Sequence, residues 1–515
     1  MIDYRKKYIN IYIWQILGVL TGFVSLFIVT PYISSNKILF GIYSLCVSFT
    51  VYFSYADLGV SSAMTKYAAE YFISENKKDE VKLIGFSMFV MLLTFSVVSL
   101  VLLLMALFPQ IIIPELEYGS DSFNVARSLL LILALSSPII ILQRVLSSIF
   151  AIRVEDYKYQ RFTLIGNIVR ILSVFYFFRN GRYEIVGYYL FFQIVNVVIT
   201  LVCLFYAKKV YGYSIRELIT SFRFDKVIFD KIKKLCGVSF VGFVSTILFF
   251  ELDQIAISQL LGIEAVAIFA IAVTIFSVVR MYNTIIFAPY SSRFNHFVGL
   301  HDISGLVGFM NKLTYLSFPI VVIPIIVLSL LANPFVISWV GWQYQESSIL
   351  VSFIILNFVV NFLSMPICSF LLATEELRIL FYNSLIVPIA YWGGIILTYQ
   401  IWGVLSFAIF KALAPVLAAI YLIICVRRIL SKLGFTYISL RWLISHFIGV
   451  AIVACSLCYL GEKLMIYEQS KFALAFNILI MGSCIIISLL IHLPFNKLFL
   501  LETKRSFLRA FNHNV

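Results

Sequence analysis

Seven ionisable residues lie within or at the end of strongly apolar stretches of this chain: Arg144, Arg170, Arg280, Lys411, Glu251, Asp253 and Asp57. At the centre of a membrane-spanning helix an ionised side chain costs about 2.5–3.5 kcal/mol on insertion scales, so each needs a partner, water or a task. The four bases suit an anion. A guanidinium forms paired hydrogen bonds to phosphate or carboxylate oxygens, and a lysine offers a point charge. Arg144 and Arg170 come from the first half of the chain, Arg280 and Lys411 from the second, and a cationic cavity shared by both halves is the expectation. The competing readings are static pairing, with Glu251 or Asp253 neutralising Arg280, and snorkelling of Arg144 or Arg170 to the inner interface. Glu251 and Asp253 are two residues apart, about 200° around a helix, so they face different partners. Either is a candidate for binding and releasing a coupling proton, or for holding Na⁺. Asp57, at the end of its segment, reads as a cap of the following turn and as a third ion-coupling candidate.

The elements that must position these residues are membrane helices. Apolar segments of about 20 residues fall at 11–33, 38–58, 84–108, 127–150, 162–178, 185–207, 237–260, 266–289, 314–332, 349–373, 379–399, 403–425, 443–461 and 472–493. That predicts an all-α integral membrane protein of about fourteen spans. If the N-terminus is cytoplasmic, inside loops and tails carry 29 Lys and Arg and outside loops six. Such a split places both termini inside. Hydrophobic residues are 62% of the chain and charged residues 12%, against about one-quarter charged in soluble domains. The net charge of +14 follows alternate loops rather than one face of a domain, which argues for topology and against nucleic acid as a partner. The first 20 residues read as an uncleaved first helix.

Chemistry outside the membrane finds little support. Loops are short, no Gly-rich nucleotide loop is present, and no His, Cys or carboxylate cluster has metal-ligand spacing. The cysteines lie in or beside apolar segments, and Cys455 and Cys458 read as small helix residues. The longest inside loop, 208–236, mixes eight Lys and Arg with Ile, Leu, Phe and Val, as in an interfacial amphipathic segment on an anionic leaflet. It reads as a hinge-like linker between six spans and eight. The expected organisation is an N-terminal lobe at 1–207, the linker at 208–236, a C-terminal lobe at 237–425, and two further spans with a tail at 426–515. Trp339, Trp342 and Tyr344 read as interface residues of an outside loop. Pro138, Pro289, Pro319, Pro324, Pro366, Pro388 and Pro415 predict bends, mostly in the second half.

Residues 31–45 and 257–271 form a weak repeat at an offset of 226, with Gly41 and Tyr43 facing Ala267 and Phe269; AMTKYAAEYF (63–72) likewise faces APYSSRFNHF (288–297). Pro31 leads to Gly41–Tyr43, Asp57–Leu58–Gly59 precedes Lys66–Tyr67, and Asp253, Ile257, Leu261 and Gly262 precede Phe269. With these motifs and its span number, the chain resembles the polysaccharide transporter family, the O-antigen and capsule repeat-unit flippases of the multidrug/oligosaccharidyl-lipid/polysaccharide exporter superfamily. The resemblance implies two pseudo-symmetric six-helix lobes around a central cavity, plus two C-terminal helices. It also implies a non-enzyme that moves undecaprenyl-pyrophosphate-linked oligosaccharide to the outer leaflet of the bacterial cytoplasmic (inner) membrane, for O-antigen, lipopolysaccharide or capsule. The partners implied are that lipid-linked substrate, membrane lipids, a polysaccharide polymerase and a chain-length regulator. No cofactor is implied beyond H⁺ or Na⁺ coupling. A peptidoglycan-precursor flippase shares the same expectations. A multidrug antiporter would have twelve spans and an acidic cavity. An integral-membrane polymerase or glycosyltransferase would need a large outside loop, for which only Arg179 and Arg182 speak.

Overall fold

A computed structural model describes residues 4–495 other than 154, 180, 288, 289, 291, 292, 295, 296 and 299. Pro289, much of the repeat segment 288–297 and the tail after 495 therefore lie outside the described residues. Described elements are helical throughout. Among the described residues, eleven helices are long and apolar enough to cross a membrane, or thirteen when two bent pairs each count as one span. The segment expected at 162–178 belongs to a 22-residue helix, Asp156–Phe177. Gln160, Arg161, Asn167 and Arg170 lower its apolarity, which sets it apart from the other spans.

The helices divide into two compact units, Met1–Ala267 and Ile268–Val515. The first contains α1 (Tyr4–Ile33), α2 (Lys37–Ser48), α3 (Thr50–Ala56), α4 (Val60–Ile73), α5 (Lys77–Leu107), α6 (Asp121–Leu135), α7 (Ser137–Ile152), α8 (Asp156–Phe177), α9 (Ile185–Tyr211), α10 (Ile215–Thr220), α11 (Lys226–Phe250), α12 (Asp253–Leu261) and the start of α13 (Ile263–Phe287). Helix starts follow local chemistry. Asn36, Asn76, Ser120, Ser214 and Asp225 each accept a hydrogen bond from a backbone amide of the first turn, satisfying donors that the helix itself leaves open. The Asp57–Leu58–Gly59 motif is the turn between α3 and α4. Leu58 and Gly59 both adopt left-handed conformations, at φ 51° and 79°. Asp57 accepts the Ser61 amide at 3.0 Å, which is the capping role its position suggested.

Among the described residues, two spans of this unit are broken by a sharp bend. The pairs α6–α7 and α11–α12 each turn by 43°. Pro138 stands at the first of these, in the opening turn of α7. The second, at Glu251–Leu252, has no proline. In the second unit the helices run on through Pro319, Pro324, Pro366, Pro388 and Pro415. These prolines do not break their helices, because packed neighbours can hold a membrane helix through a missing amide. The repeat has a physical counterpart: a Cβ on Gly41 would stand 3.3 Å from the Cβ of Ala267 and 2.5 Å from the Ile263 carbonyl. Matching positions of the two repeats touch, and only glycine fits at 41.

Segment 208–236 is not a free connector. Ile232 is part of a buried cluster with Ala63, Ala68, Leu83, Phe86 and Ile152, and Ile228 packs against it. Tyr213 donates to Glu80, which is also paired with Arg153 at 2.9 Å. Burial above all pushes the Tyr213 hydroxyl beyond the ordinary tyrosine range, so it remains a donor.

The second unit continues α13 and adds α14 (Ile303–Leu330), α15 (Ala332–Val340), α16 (Gln345–Ile354), α17 (Asn361–Ala373), α18 (Leu377–Trp402), α19 (Leu405–Lys432), α20 (Leu440–Glu462) and α21 (Lys471–His492). A 3₁₀ turn at Ile355–Val360 joins α16 to α17. Residues 332–340 are a short helix packed against α21 rather than a loop. Trp339 and Tyr344 are consequently buried, at 1% and 0% exposure, while Trp342 is exposed and stacks on Tyr467. The expected interface cluster is thus mostly core. Asn477 fixes the end of this unit: it accepts the Ile466 amide at 2.9 Å and donates to the Ile466 and Pro334 carbonyls.

Candidate functional site

The first unit holds an open cavity of about 480 Å³, with polar and apolar groups on its walls. Thr50 and Ser54 of α3, Gln143, Arg144, Ser147 and Ser148 of α7, Tyr159 of α8, and Phe192, Gln193 and Asn196 of α9 line it. The polar side chains on these walls, at membrane depth, need water or a polar ligand as partner. Local helix geometry explains the lining. Thr50 and Ser54 are four apart, as are Gln143 and Ser147, so each pair projects from one helix face. Gln193 and Asn196 are three apart and hydrogen-bonded at 3.3 Å.

Arg144 is the charge of this cavity. Its Nη2 donates to Ser54 at 2.6 Å, and its Nη1 lies 3.9 Å from the Asp57 carboxylate. The Arg144 Nε is buried and has no hydrogen-bond partner among the described residues. Asp57 is 6% exposed and is held from both sides, by the Ser61 amide and by Arg144. That arrangement pairs one ion-coupling candidate with one cation candidate. Arg170, on α8, holds its guanidinium 4.2 Å from the centre of the ring of Phe192. Such a cation–π contact is stronger where water is excluded. Arg144 thus lines the cavity itself, whereas Arg170 packs against Phe192, one of its wall residues.

Glu251 and Asp253 bracket the bend between α11 and α12. Tyr55 donates to the Glu251 carboxylate at 3.1 Å, and Tyr52 donates to the Glu251 carbonyl at 3.1 Å. The bend frees backbone groups, and Tyr52 satisfies one of them. Asp253 opens α12 and is 2% exposed; beside it Gln254 accepts from Ser44 at 3.1 Å. The seven-residue α3 therefore has two working faces. Thr50 and Ser54 meet the Arg144 cavity, and Tyr52 and Tyr55 meet the Glu251 bend.

The remaining two bases belong to the second unit. Lys411, on α19, is 1% exposed. Its ammonium lies 5.1 Å from the Tyr391 ring centre and 5.5 Å from that of Phe276. Arg280 is exposed on α13, one turn after Phe276.

A family model described as "polysaccharide biosynthesis protein" matches residues 4–295, more than half the chain. The chain belongs to the polysaccharide biosynthesis protein family. No curated protein matches its sequence. Among solved structures, this family member is similar to the lipid II flippase MurJ in an inward closed conformation. The TM-score is 0.66 at 16% identity, over 94% of this chain and 97% of MurJ. It is also similar to a multidrug resistance MATE transporter of the MOP superfamily in its inward-facing conformation. There the TM-score is 0.61 at 15% identity, over 81% of this chain and 99% of that one. The outward-facing conformation of such a transporter gives 0.52 at 16% identity, over 84% and 98%. The family member is thus a multi-pass membrane protein with the MurJ and MATE fold.

Sequence reading found both ions of the Arg144–Asp57 pair but not the neutral polar lining. The signal was present: Thr50/Ser54, Gln143/Ser147 and Gln193/Asn196 recur at helical spacing inside apolar segments. Each is neutral, and so stands out less than a charge.

Proposed function

We propose that this protein is a flippase. It moves an undecaprenyl-pyrophosphate-linked oligosaccharide from the inner to the outer leaflet of the cytoplasmic membrane by alternating access, for O-antigen or capsular polysaccharide. The observation that carries this reading is the cavity of a polysaccharide-family membrane protein, with Arg144 on its wall and Arg170 packed against its Phe192. The substrate has an anionic pyrophosphate and a polar glycan, and neither crosses hydrocarbon unaided. Hydroxyl and amide groups on the cavity wall suit sugar hydroxyls, and the guanidinium groups suit phosphate oxygens. Arg280 and Lys411 extend the same cationic role to the second unit. Both termini are cytoplasmic in this reading, as the loop charges favour.

Complementation tests it. The intact gene restores surface polysaccharide to a strain lacking its repeat-unit flippase. The double variant Arg280→Ala/Lys411→Met loses export by about tenfold or more, with membrane protein level retained, if these bases hold anionic substrate. Normal export by the double variant would remove them from the site. Failure of the intact protein in this strain, with rescue of a strain starved of lipid II transport instead, would assign it the peptidoglycan precursor.

We assign energy coupling to the α11–α12 bend, with Asp253 as the proton-carrying group. Asp253→Asn keeps size and hydrogen bonding but cannot titrate. In proteoliposomes it is expected to retain substrate binding and to lose dependence of transport on an imposed pH gradient. Unchanged pH-driven transport would make Asp253 structural and shift attention to Glu251, Na⁺ or the membrane potential.

A further inference from the structure

We infer that the base-rich end of the first unit holds a binding site for an anionic phospholipid headgroup. The site is the cavity of about 640 Å³ between the first turns of α5 and the segment that follows α10. Lys77, Lys78 and Lys82 approach from α5, and Arg223 from the segment; Glu217 and Asp225 also line the cavity.

The cavity is built rather than incidental. A Cβ on Gly85 would stand 2.6 Å from the Ser221 carbonyl oxygen, so the α10 segment lies directly on α5. Phe224 packs on Phe86 and Phe222 on Phe89, with ring centres 5.8 and 5.5 Å apart. These contacts hold the two walls at a fixed separation.

Its charges are not self-neutralised. Lys77 donates to the Gly212 carbonyl at 2.6 Å, and Lys82 lies 3.5 Å from Asp79. The Asp225 carboxylate accepts the amides of Val227 and Ile228. Lys78 and Arg223 are exposed and form no ion pair among the described residues. Two cations thus face an open cavity.

The surroundings identify the ligand. α5 enters its apolar run directly after Lys82, which sets the cavity at the level of the headgroups. Ile219, Phe224 and Val227, beside the bases, are 68%, 55% and 79% exposed. Exposed apolar residues interleaved with bases match the boundary between headgroups and acyl chains. A phosphodiester between Lys78 and Arg223, with its chains beside Ile219 and Val227, satisfies both. Occupancy would brace the 221–228 segment against α5 without engaging the Arg144 cavity.

Native mass spectrometry of the purified full-length protein, with phosphatidylglycerol or phosphatidylcholine added, tests this. Wild-type protein retains phosphatidylglycerol and its melting temperature rises with it. Lys78→Gln/Arg223→Gln binds it about 30-fold more weakly, about fivefold for each base. The same variant melts like wild type in neutral detergent, which shows that it folds. Equal retention of phosphatidylglycerol by variant and wild type overturns the proposal. So does equal stabilisation by phosphatidylcholine, which would mean no selection by charge. Equal stabilisation by soluble pyrophosphate overturns the lipid assignment in favour of a free phosphate site.

Discussion

Glu80→Ala is expected to destabilise the folded protein by about 3–5 kcal/mol, the cost of leaving one charge of a buried pair without its partner. Glu80 and Arg153 are 2% and 8% exposed at the side chain, with 2.9 Å between them. Arg153 is enclosed by the rings of Phe72, Tyr211 and Tyr213, at 4.7, 4.8 and 5.0 Å. Losing the carboxylate strands a guanidinium among aromatics and removes the acceptor of Tyr213. It also frees the start of the 208–236 segment from α5 and α7. By contrast Lys37–Glu264, at 3.3 Å with side chains 27% and 63% exposed, is worth at most about 1 kcal/mol. Thermal unfolding in detergent distinguishes the two sites. The double variant Glu80→Leu/Arg153→Met should recover much of the loss, because neither charge is then stranded. A Glu80→Ala protein that melts within a degree or so of wild type would show that solvent already screens the pair.

The second large effect is expected at Arg144. Arg144→Leu removes the bond to Ser54, strands the Asp57 carboxylate and deprives the polar cavity of its cation. Export should fall by about 10- to 100-fold, the value of a charged hydrogen bond to substrate, and protein level should fall as well. The double variant Asp57→Asn/Arg144→Gln separates these effects. It leaves a neutral pair that can still hydrogen-bond, so folding is retained while the charge offered to substrate is lost. Surface polysaccharide should stay low at normal protein level. Full export by this double variant would mean that Arg144 serves Asp57 alone, and the anion role would then rest on Arg170.

The amino-acid sequence by itself determined the class of molecule. Runs of about 20 apolar residues leave no soluble fold available, because their backbone polar groups must be satisfied within helices. Charges in those runs are costly enough to be noticed one at a time, which is why Arg144, Asp57, Glu251, Asp253 and Lys411 were all legible. The Asp57–Leu58–Gly59 turn was legible too, since its geometry depends on neighbouring residues alone. Tertiary structure decided the rest. Whether Arg144 meets Asp57, whether Arg170 packs on Phe192, and whether Trp339 faces water or core depend on which helix faces meet. Helix phase reveals a polar face but not its partner. The bend at Glu251 shows the same division: no proline marks it, and it is held by Tyr52 and Tyr55, some 200 residues earlier in the chain. Local chemistry is written in adjacent residues, whereas contacts between distant ones form only when side-chain shapes from separate helices pack together.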